Sequence, residues 1–514
     1  MYSDDLTIQH WLTRHARYRP NKTAFICGLT RMSFSELNAS VNQLIRALQK
    51  AGIKKGDKIA TVLPNCTALW EVYWACAKMG AVAVPLSPLL RGQGLANLLN
   101  NADTSLVISD KATAGYISSV KPFVPHLPDA RYWLINSNDT PGYTSYCDVK
   151  QIESTKEPNV EIVTGNDPYN IIYSSGTTGL PKGIVISHAV RALYGSLFAN
   201  AYRMAPESVV MHSGSIIFNG SFLTLMPAMF LGCTYILQDH FDPNMVIDDI
   251  GKERVTHTIL VPSQIIACLQ QEKFNKVSLP SIEYILSVGA PLLLEHKQEL
   301  NRRLPGVFYE LYGLTEGFMT ILDKTDALRK TGSVGYPPTF MDMKILNEEG
   351  IPQPPGVIGE IVGKGPLLMD AYYKNEAQTR EALRDGWLYT GDLGYLDEDG
   401  FLFLTGRKKD LIISGGVNVY PADIEEVIIR HDAVKDVAVF GVAHAEWGET
   451  PVAAVVLTAS DDEVNAEIIR SWVNDHIDAR FQKVHEILIM DELPRNVAGK
   501  ILKRALKETY ESRK

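Results

Sequence analysis

Short apolar runs separated by amphipathic stretches set the rhythm of most of this chain. KIATVLP (58–64), AVAVPL (81–86), SLVISD (105–110), YNIIYSS (169–175), HTILVP (257–262) and YILSVG (284–289) are bounded by turn residues and have the length of buried strands. Between them lie patterns of helical period, such as SFSELNASVNQLIRALQKAG (33–52), with apolar residues at spacings of three and four. Strands alternating with helices predict parallel or mixed sheets in an α/β fold. The most apolar region, Phe222 to Leu237, is interrupted by Pro227 and Gly232 and followed by Asp239 and His240. It falls short of the roughly 20 residues a membrane-spanning helix needs, and predicts a buried helix followed by a strand.

The pattern changes after about residue 340. GEIVGKGP (359–366) and GWLYTGDLGYLDEDGFLFLTGR (386–407) predict short strands joined by tight turns rich in Gly and Asp. From Tyr420 a compact α+β pattern begins: a helix from PADIEEVIIRH, strands VKDVAVFGVA and PVAAVVLT, and a helix from about Asp462 to Ile477. The charged turn GRKKD (406–410) is the expected boundary. The expected domains are therefore residues 1–408, a large α/β domain of mixed parallel sheets with flanking helices and a small β-rich subdomain, and residues 409–514, a small mobile α+β lid.

Composition narrows the classes. At 514 residues the chain is too long for one ordinary domain, and 46% hydrophobic with 21% charged residues is globular. A formal charge of −9 argues against a nucleic-acid partner, although a phosphate site needs only a few local donors. The six cysteines are scattered without CxxC spacing, as expected of reduced thiols in a cytoplasmic protein rather than a disulfide framework or zinc site. The N-terminus is no signal peptide, and peripheral membrane contact and a homodimer stay open.

The most informative segment is YSSGTTGLPKGIVISH (173–188). A predicted strand enters a loop in which Gly176, Gly179 and Gly183 let the backbone approach a ligand, Ser174, Ser175, Thr177 and Thr178 offer hydroxyls, and Lys182 offers a point charge. Such a loop can cradle a polyphosphate; a plain glycine-rich surface loop is the bland alternative. The lysine spacing does not fit GxxxxGK[ST], which disfavours a P-loop NTPase.

The full string resembles the phosphate-binding signature of the adenylate-forming superfamily of acyl-CoA synthetases, luciferases and peptide-synthetase adenylation domains. Further motifs follow in the family's order: SVGAPL (287–292), YELYGLTEG (309–317), the run from 386 to 427, and LPRNVAGKILKR (493–504). Weaker likeness extends toward the N-terminus, so the resemblance covers essentially the whole chain.

The resemblance implies an ATP-dependent acid–thiol ligase using Mg²⁺ and coenzyme A. It would turn a small-molecule carboxylic acid, fatty or otherwise apolar, into an acyl-AMP and then a thioester. Ser174 through Lys182 would bind the ATP phosphates, with Thr178 also taking part in catalysis. Thr315 would contact a phosphate oxygen, and Glu316 would hold Mg²⁺ with Ser174. Gly289, Ala290 and Pro291 would flank the adenine with Glu310, Leu311, Tyr312 and Gly313, Tyr312 stacking on the ring. Asp392 would accept the ribose hydroxyls beside Arg407. Lys500 would bridge the carboxylate and the α-phosphate, Lys409 would be the hinge, and Ser414, Gly415 and Gly416 would line the path of the pantetheine arm. The acyl pocket would include Phe218, Asn219, Gly313 and Met319.

The chain departs from the family pattern at Phe218, where a histidine is common, at Ile413, where fatty-acyl members have lysine, and at Phe481–Val484. Phe218 implies an apolar pocket wall. An aryl- or cyclic-acid CoA ligase, and an enzyme loading a carrier-protein arm, remain the alternatives. A scaffold without activity is disfavoured, because Lys182, Glu316, Asp392, Arg407 and Lys500 are all present.

Overall fold

In the computed structural model, the described residues are 5–136, 140–174, 181–458, 464–477, 479–495 and 501–513. The chain forms two compact units, Met1–Asp342 with Lys364–Leu388, and Met343–Gly363 with Tyr389–Lys514.

The first unit is built on two eight-stranded sheets. In one the strand order is Met319–Leu322, Phe308–Gly313, Tyr284–Val288, His257–Leu260, Val209–His212, Thr234–Leu237, Thr23–Cys27 and Thr30–Ser33. In the other it is Ala371–Tyr372, Lys182–Ser187, Pro168–Ser174, Val82–Leu86, Lys58–Val62, Thr104–Asp110, Tyr132–Ile135 and Thr144–Ser145. The inner strands of both run parallel, with antiparallel partners at both edges of the first sheet and at the Ala371–Tyr372 edge of the second, whose other edge, Thr144–Ser145, pairs parallel. This is the mixed α/β architecture that the alternating pattern predicts. Each of the six apolar runs contributes a strand, and Phe34–Lys50 is a helix started by a capping box between Ser33 and Glu36. Phe222–Leu231 is a buried helix ending in Gly232, followed by the Thr234–Leu237 strand. No helix among the described residues is long and apolar enough to cross a membrane.

One stretch of the first unit has no ladder. Residues 154–163 carry no regular secondary structure. Their backbone is held by long polar side chains instead. Gln43 donates to the carbonyl of Glu153, Asn42 to that of Thr155, Arg46 to that of Glu157 and Gln49 to that of Asn159, at 2.7–2.9 Å. Gln9 continues the series at Glu161, 2.7 Å away. Alternate carbonyls from 153 to 161 are taken, as on one edge of an extended chain, and Lys55 adds that of Ile162 at 3.0 Å.

The second unit holds two small sheets. In one, Trp387–Leu396 pairs antiparallel with Leu402–Arg407 beside Gly359–Lys364. The other has the order Val417–Val419, Ile412–Ser414, Gly448–Leu457, Val434–His444, with Glu486–Ile489 parallel to Gly448–Leu457. Helices Pro421–Ile428 and Ala466–Asp475 bury Ile424, Ile428, Ile469 and Val473 with Val439 and Val455 of this sheet. Helix Lys503–Glu511 buries Leu506 and Tyr510 with Phe440 and Val452. Period-two strands with both faces apolar are thus covered on both sides.

Candidate active site

The glycine–hydroxyl string lies between two antiparallel strands, Pro168–Ser174 and Lys182–Ser187, with Ser174 opposite Lys182. Ser175, Gly176, Thr177, Thr178 and Gly179 fall outside the described residues, as does Lys500. Ser174 and Lys182, both half-buried, are therefore the two described residues that frame the loop.

A second group of candidates sits where parallel strands end, the usual place for ligands in such sheets. Tyr284–Val288 runs into Gly289, Ala290 and Pro291, and its neighbour Phe308–Gly313 runs into Thr315 and Glu316. The two are in register through Val288 and Leu311. Glu310 is buried and ion-paired with Lys297, so its carboxylate is already committed. Tyr312 is half-buried, its ring 6.4 Å from that of Phe318 at 73°. Gly313 faces Met319 across an antiparallel pair, and a Cβ there would stand 2.8 Å from that of Met319.

The position of Glu316 depends on the residue after it. Gly317 has φ +103°, and a Cβ at that position would lie 2.0 Å from the carbonyl oxygen of Leu367. Only glycine permits this approach. It brings the 367–373 segment against the turn, where the amide of Met369 donates to the Glu316 carbonyl at 2.8 Å. The same segment pairs with the loop-bearing hairpin, Ala371 with Val185 and Tyr372 with Ile184. Tyr372 then reaches both charges. Its hydroxyl donates to Glu316 Oε1 at 2.7 Å, and Lys182 Nζ lies 4.7 Å from its ring centroid. Burial first, and the Glu316 carboxylate second, push its phenol far above the usual range, so it stays a neutral donor. Sequence reasoning missed Tyr372. It lies in a strand of two residues, 56 positions from its acid, and only the doublet Tyr372–Tyr373 marked it.

Glu316 and Ser174, the pair the resemblance implies for a metal, would offer one carboxylate and one hydroxyl, both hard oxygens. Such a set suits Mg²⁺, which binds through one or two carboxylates and substrate phosphates while keeping its waters.

On the acyl side, Phe218 is half-buried and Asn219 buried, at the start of a 3₁₀ turn. The apolar wall expected there is modified by a residue that sequence reasoning passed over. Arg191 is fully buried in the helix His188–Ala201, its Nη2 2.9 Å from Asn219 Oδ1 and its guanidinium 3.3 Å from Asn170 Oδ1. Among the described residues no carboxylate pairs with it. The Phe222 and Tyr194 rings face it at 4.1 and 4.9 Å instead. Burial lowers its pKa to about 10. The sequence signal was a single arginine inside an apolar helical run, HAVRALYG.

In the second unit Asp392 lies directly across the ladder from Arg407, with Arg407 Nε 3.3 Å from its Oδ1, and is 8% exposed. Glu360, also missed, accepts from the Gly391 amide at 3.2 Å and pairs with Lys408 at 3.0 Å. It fixes the turn before Asp392 and the residue after Arg407. Lys409 is in the 3₁₀ turn Lys408–Asp410. Gly415 and Gly416, with φ +59° and +79°, form a two-residue hairpin loop between Ser414 and Val417. Such a loop demands positive φ at both positions. A Cβ at Gly415 would also stand 2.7 Å from the Trp447 ring, whereas one at Gly416 would meet open space.

Comparison with known proteins gives the family. The model of the AMP-binding enzyme family matches residues 12–373, and that of the AMP-binding enzyme C-terminal domain matches residues 423–500. The chain belongs to the AMP-binding enzyme family. This AMP-binding enzyme is 32% identical over 508 residues to long-chain-fatty-acid–CoA ligase FadD13 of Mycobacterium tuberculosis, covering 97% of this chain and 98% of the relative. It is 30% identical over 510 residues to feruloyl-CoA synthase of an Amycolatopsis species, with 97% and 98% covered. The crystal structure of ATP-bound MatB from Rhodopseudomonas palustris superposes with a TM-score of 0.88 at 28% identity, covering 98% of this chain and 99% of that one. The expected superfamily and two-domain α/β fold are both met in this AMP-binding enzyme.

Proposed function

We propose that this AMP-binding enzyme joins an apolar carboxylic acid to coenzyme A in two half-reactions. In the first, a carboxylate oxygen attacks the α-phosphorus of ATP, the bond to the bridging oxygen breaks, and pyrophosphate leaves with that oxygen. In the second, the thiol of coenzyme A attacks the acyl carbonyl, AMP leaves, and the thiol proton passes to solvent. One observation carries the reading. A carboxylate suited to a metal and a lysine suited to a phosphate are brought to one tyrosine, beside the hairpin whose loop holds the glycine–hydroxyl string.

Two anions must meet in the first step, so the chain's task is to supply oriented positive charge. Lys182 and the hydroxyls from Ser174 to Thr178 hold the phosphates, and Thr315 adds a further donor. Mg²⁺, held by Glu316 and Ser174 when bound, offsets charge on the phosphates. Asp392 accepts the ribose hydroxyls and Arg407, 3.3 Å away, orients that carboxylate. Gly289 to Pro291 and Tyr312 enclose the adenine. Phe218, Asn219, Gly313 and Met319 line the acyl side, and the half-buried phenyl ring and the buried thioether favour an apolar acid.

Lys500 serves the first half-reaction and the Ser414–Gly416 hairpin the second, with residues 409–514 turning about Lys409 between them. The test is a pyrophosphate-release screen over acids of graded chain length and aromaticity, with and without coenzyme A. Acid-dependent pyrophosphate and a thioester with coenzyme A are expected. Selection of aryl acids would shift the substrate class, and pyrophosphate without a thioester would point to a carrier-protein arm. Lys500→Ala should slow adenylation by about two orders of magnitude or more, the loss of one oriented charge, and leave thioester formation from supplied acyl-AMP intact.

A further inference from the structure

A site for magnesium triphosphate faces a conflict before any nucleotide arrives. It needs a carboxylate for the metal and an ammonium for the phosphates, and such a pair left to itself forms a salt bridge. Among the described residues neither Glu316 nor Lys182 forms an ion pair. Tyr372 stands between them. Its hydroxyl occupies Glu316 Oε1 at 2.7 Å, while its ring face takes Lys182 Nζ at 4.7 Å. One oxygen of Glu316 is thereby spoken for, and the lysine is drawn to a π surface rather than to the acid.

Tyr372 is itself held from several directions. It is 5% exposed, and its amide bonds to Thr379 Oγ1 at 3.0 Å. The next two residues are anchored as well. Tyr373 donates its amide to the Gly183 carbonyl at 2.7 Å and its hydroxyl to Asp103 at 2.9 Å, and Lys374 pairs with Asp103 at 2.6 Å. Asp103 adopts φ +48°, so its corner is not a relaxed loop end. Built this way, the ring has little freedom to move aside.

We propose that Tyr372 is a positioning residue for magnesium-dependent nucleotide binding, whose hydroxyl orients Glu316 and whose ring keeps Lys182 from neutralising it. The inference rests on the reading of Glu316 and Lys182 as metal and phosphate groups. The two halves of the device separate chemically: Tyr372→Phe removes the hydroxyl and keeps the ring, whereas Tyr372→Leu removes both.

The experiment is calorimetric titration of the full chain with ATP, without acid substrate, once with excess Mg²⁺ and once with EDTA. The native chain should bind ATP more tightly with Mg²⁺. Tyr372→Phe should lose about tenfold in the Mg²⁺-supported affinity, the scale of a hydrogen bond to a charged group, with metal-free binding unchanged. Tyr372→Leu should weaken metal-free binding too, because Lys182 is then free to pair with Glu316. Glu316→Gln is the control and should abolish the preference for Mg²⁺. Loss of the preference in Glu316→Gln but not in Tyr372→Phe would overturn the role of Tyr372. Retention of the preference in Glu316→Gln would instead overturn the assignment of the metal acid. The phenylalanine variant keeps the buried ring, and its melting temperature, read alongside, separates lost orientation from lost folding.

Discussion

The two units place their candidate chemistry in different ways. In the first, Glu316, Lys182 and the Gly289–Pro291 turn stand at strand ends and are held by partners far off in sequence, Tyr372 and Leu367 among them. In the second, Asp392 and Arg407 face each other across one antiparallel ladder, and Gly415–Gly416 is the turn of a single hairpin. The first arrangement depends on packing throughout the unit. The second is a local product of strand pairing, which a few residues can specify. Errors should therefore spread in the first unit and stay local in the second.

The largest contrast should come from Gly317→Ala. A methyl there overpacks against the Leu367 carbonyl and sits in left-handed backbone, together costing about 3–4 kcal/mol. Urea unfolding should show that loss, and acid-dependent pyrophosphate release should fall with it. A near-native stability would break the comparison.

Residue for residue, acid should come next. His188, His212 and His257 of the first unit are buried, and burial lowers their pKa values to about 3, 4 and 4. Folded values lie below the unfolded one, so the unfolded chain binds more protons below about pH 6.5. Stability from these imidazoles is full above that pH and is lost as pH falls toward 4. At pH 5 each should cost about 2 kcal/mol. Denaturant midpoints between pH 7.5 and 5 test this, and a flat profile would contradict it.

In the second unit, Asp392→Asn should raise the KM for ATP roughly tenfold, the order of one hydrogen bond to a charged group, and lower stability by only about 1 kcal/mol. Steady-state kinetics beside a melting curve would show the split. The smallest effect should be Gly391→Ala, with φ +71° but nothing within 4 Å of the added Cβ, costing about 1 kcal/mol of backbone strain. A larger loss there than at Gly317 would reverse the comparison.

The same difference explains what could be read from the residues alone. Strands such as Lys58–Val62 and Tyr284–Val288 announce themselves, because a run buried on both faces is mostly apolar rather than alternating. Asp392, Arg407 and Gly415–Gly416 were reached through the family resemblance, as were Glu316 and Lys182; the ladder that pairs Asp392 with Arg407 is local enough to be guessed from the two strands beside it. Tyr372, Glu360 and Arg191 were not. Each acts across a contact that periodicity cannot encode: a two-residue strand meeting a distant turn, an acid bracing another segment's loop, and a cation stabilised by rings and amides rather than by a carboxylate. Lys297 hid the commitment of Glu310 in the same manner, since the partner lies on a neighbouring helix.

The unladdered stretch from 154 to 163 carries a lesson about where instructions for a path are stored. Its carbonyls are read by Asn42, Gln43, Arg46 and Gln49, which sit on one face of the Phe34–Lys50 helix. Glu157 aside, whose carboxylate pairs with buried Lys78 at 2.6 Å, the stretch can change its exposed letters and keep its course, because backbone oxygens are common to all amino acids. The helix cannot. Substituting its exposed residues other than Glu157 should be quiet, while shortening those four side chains should release it, so much of the route of this segment is written in a different part of the gene from the segment itself.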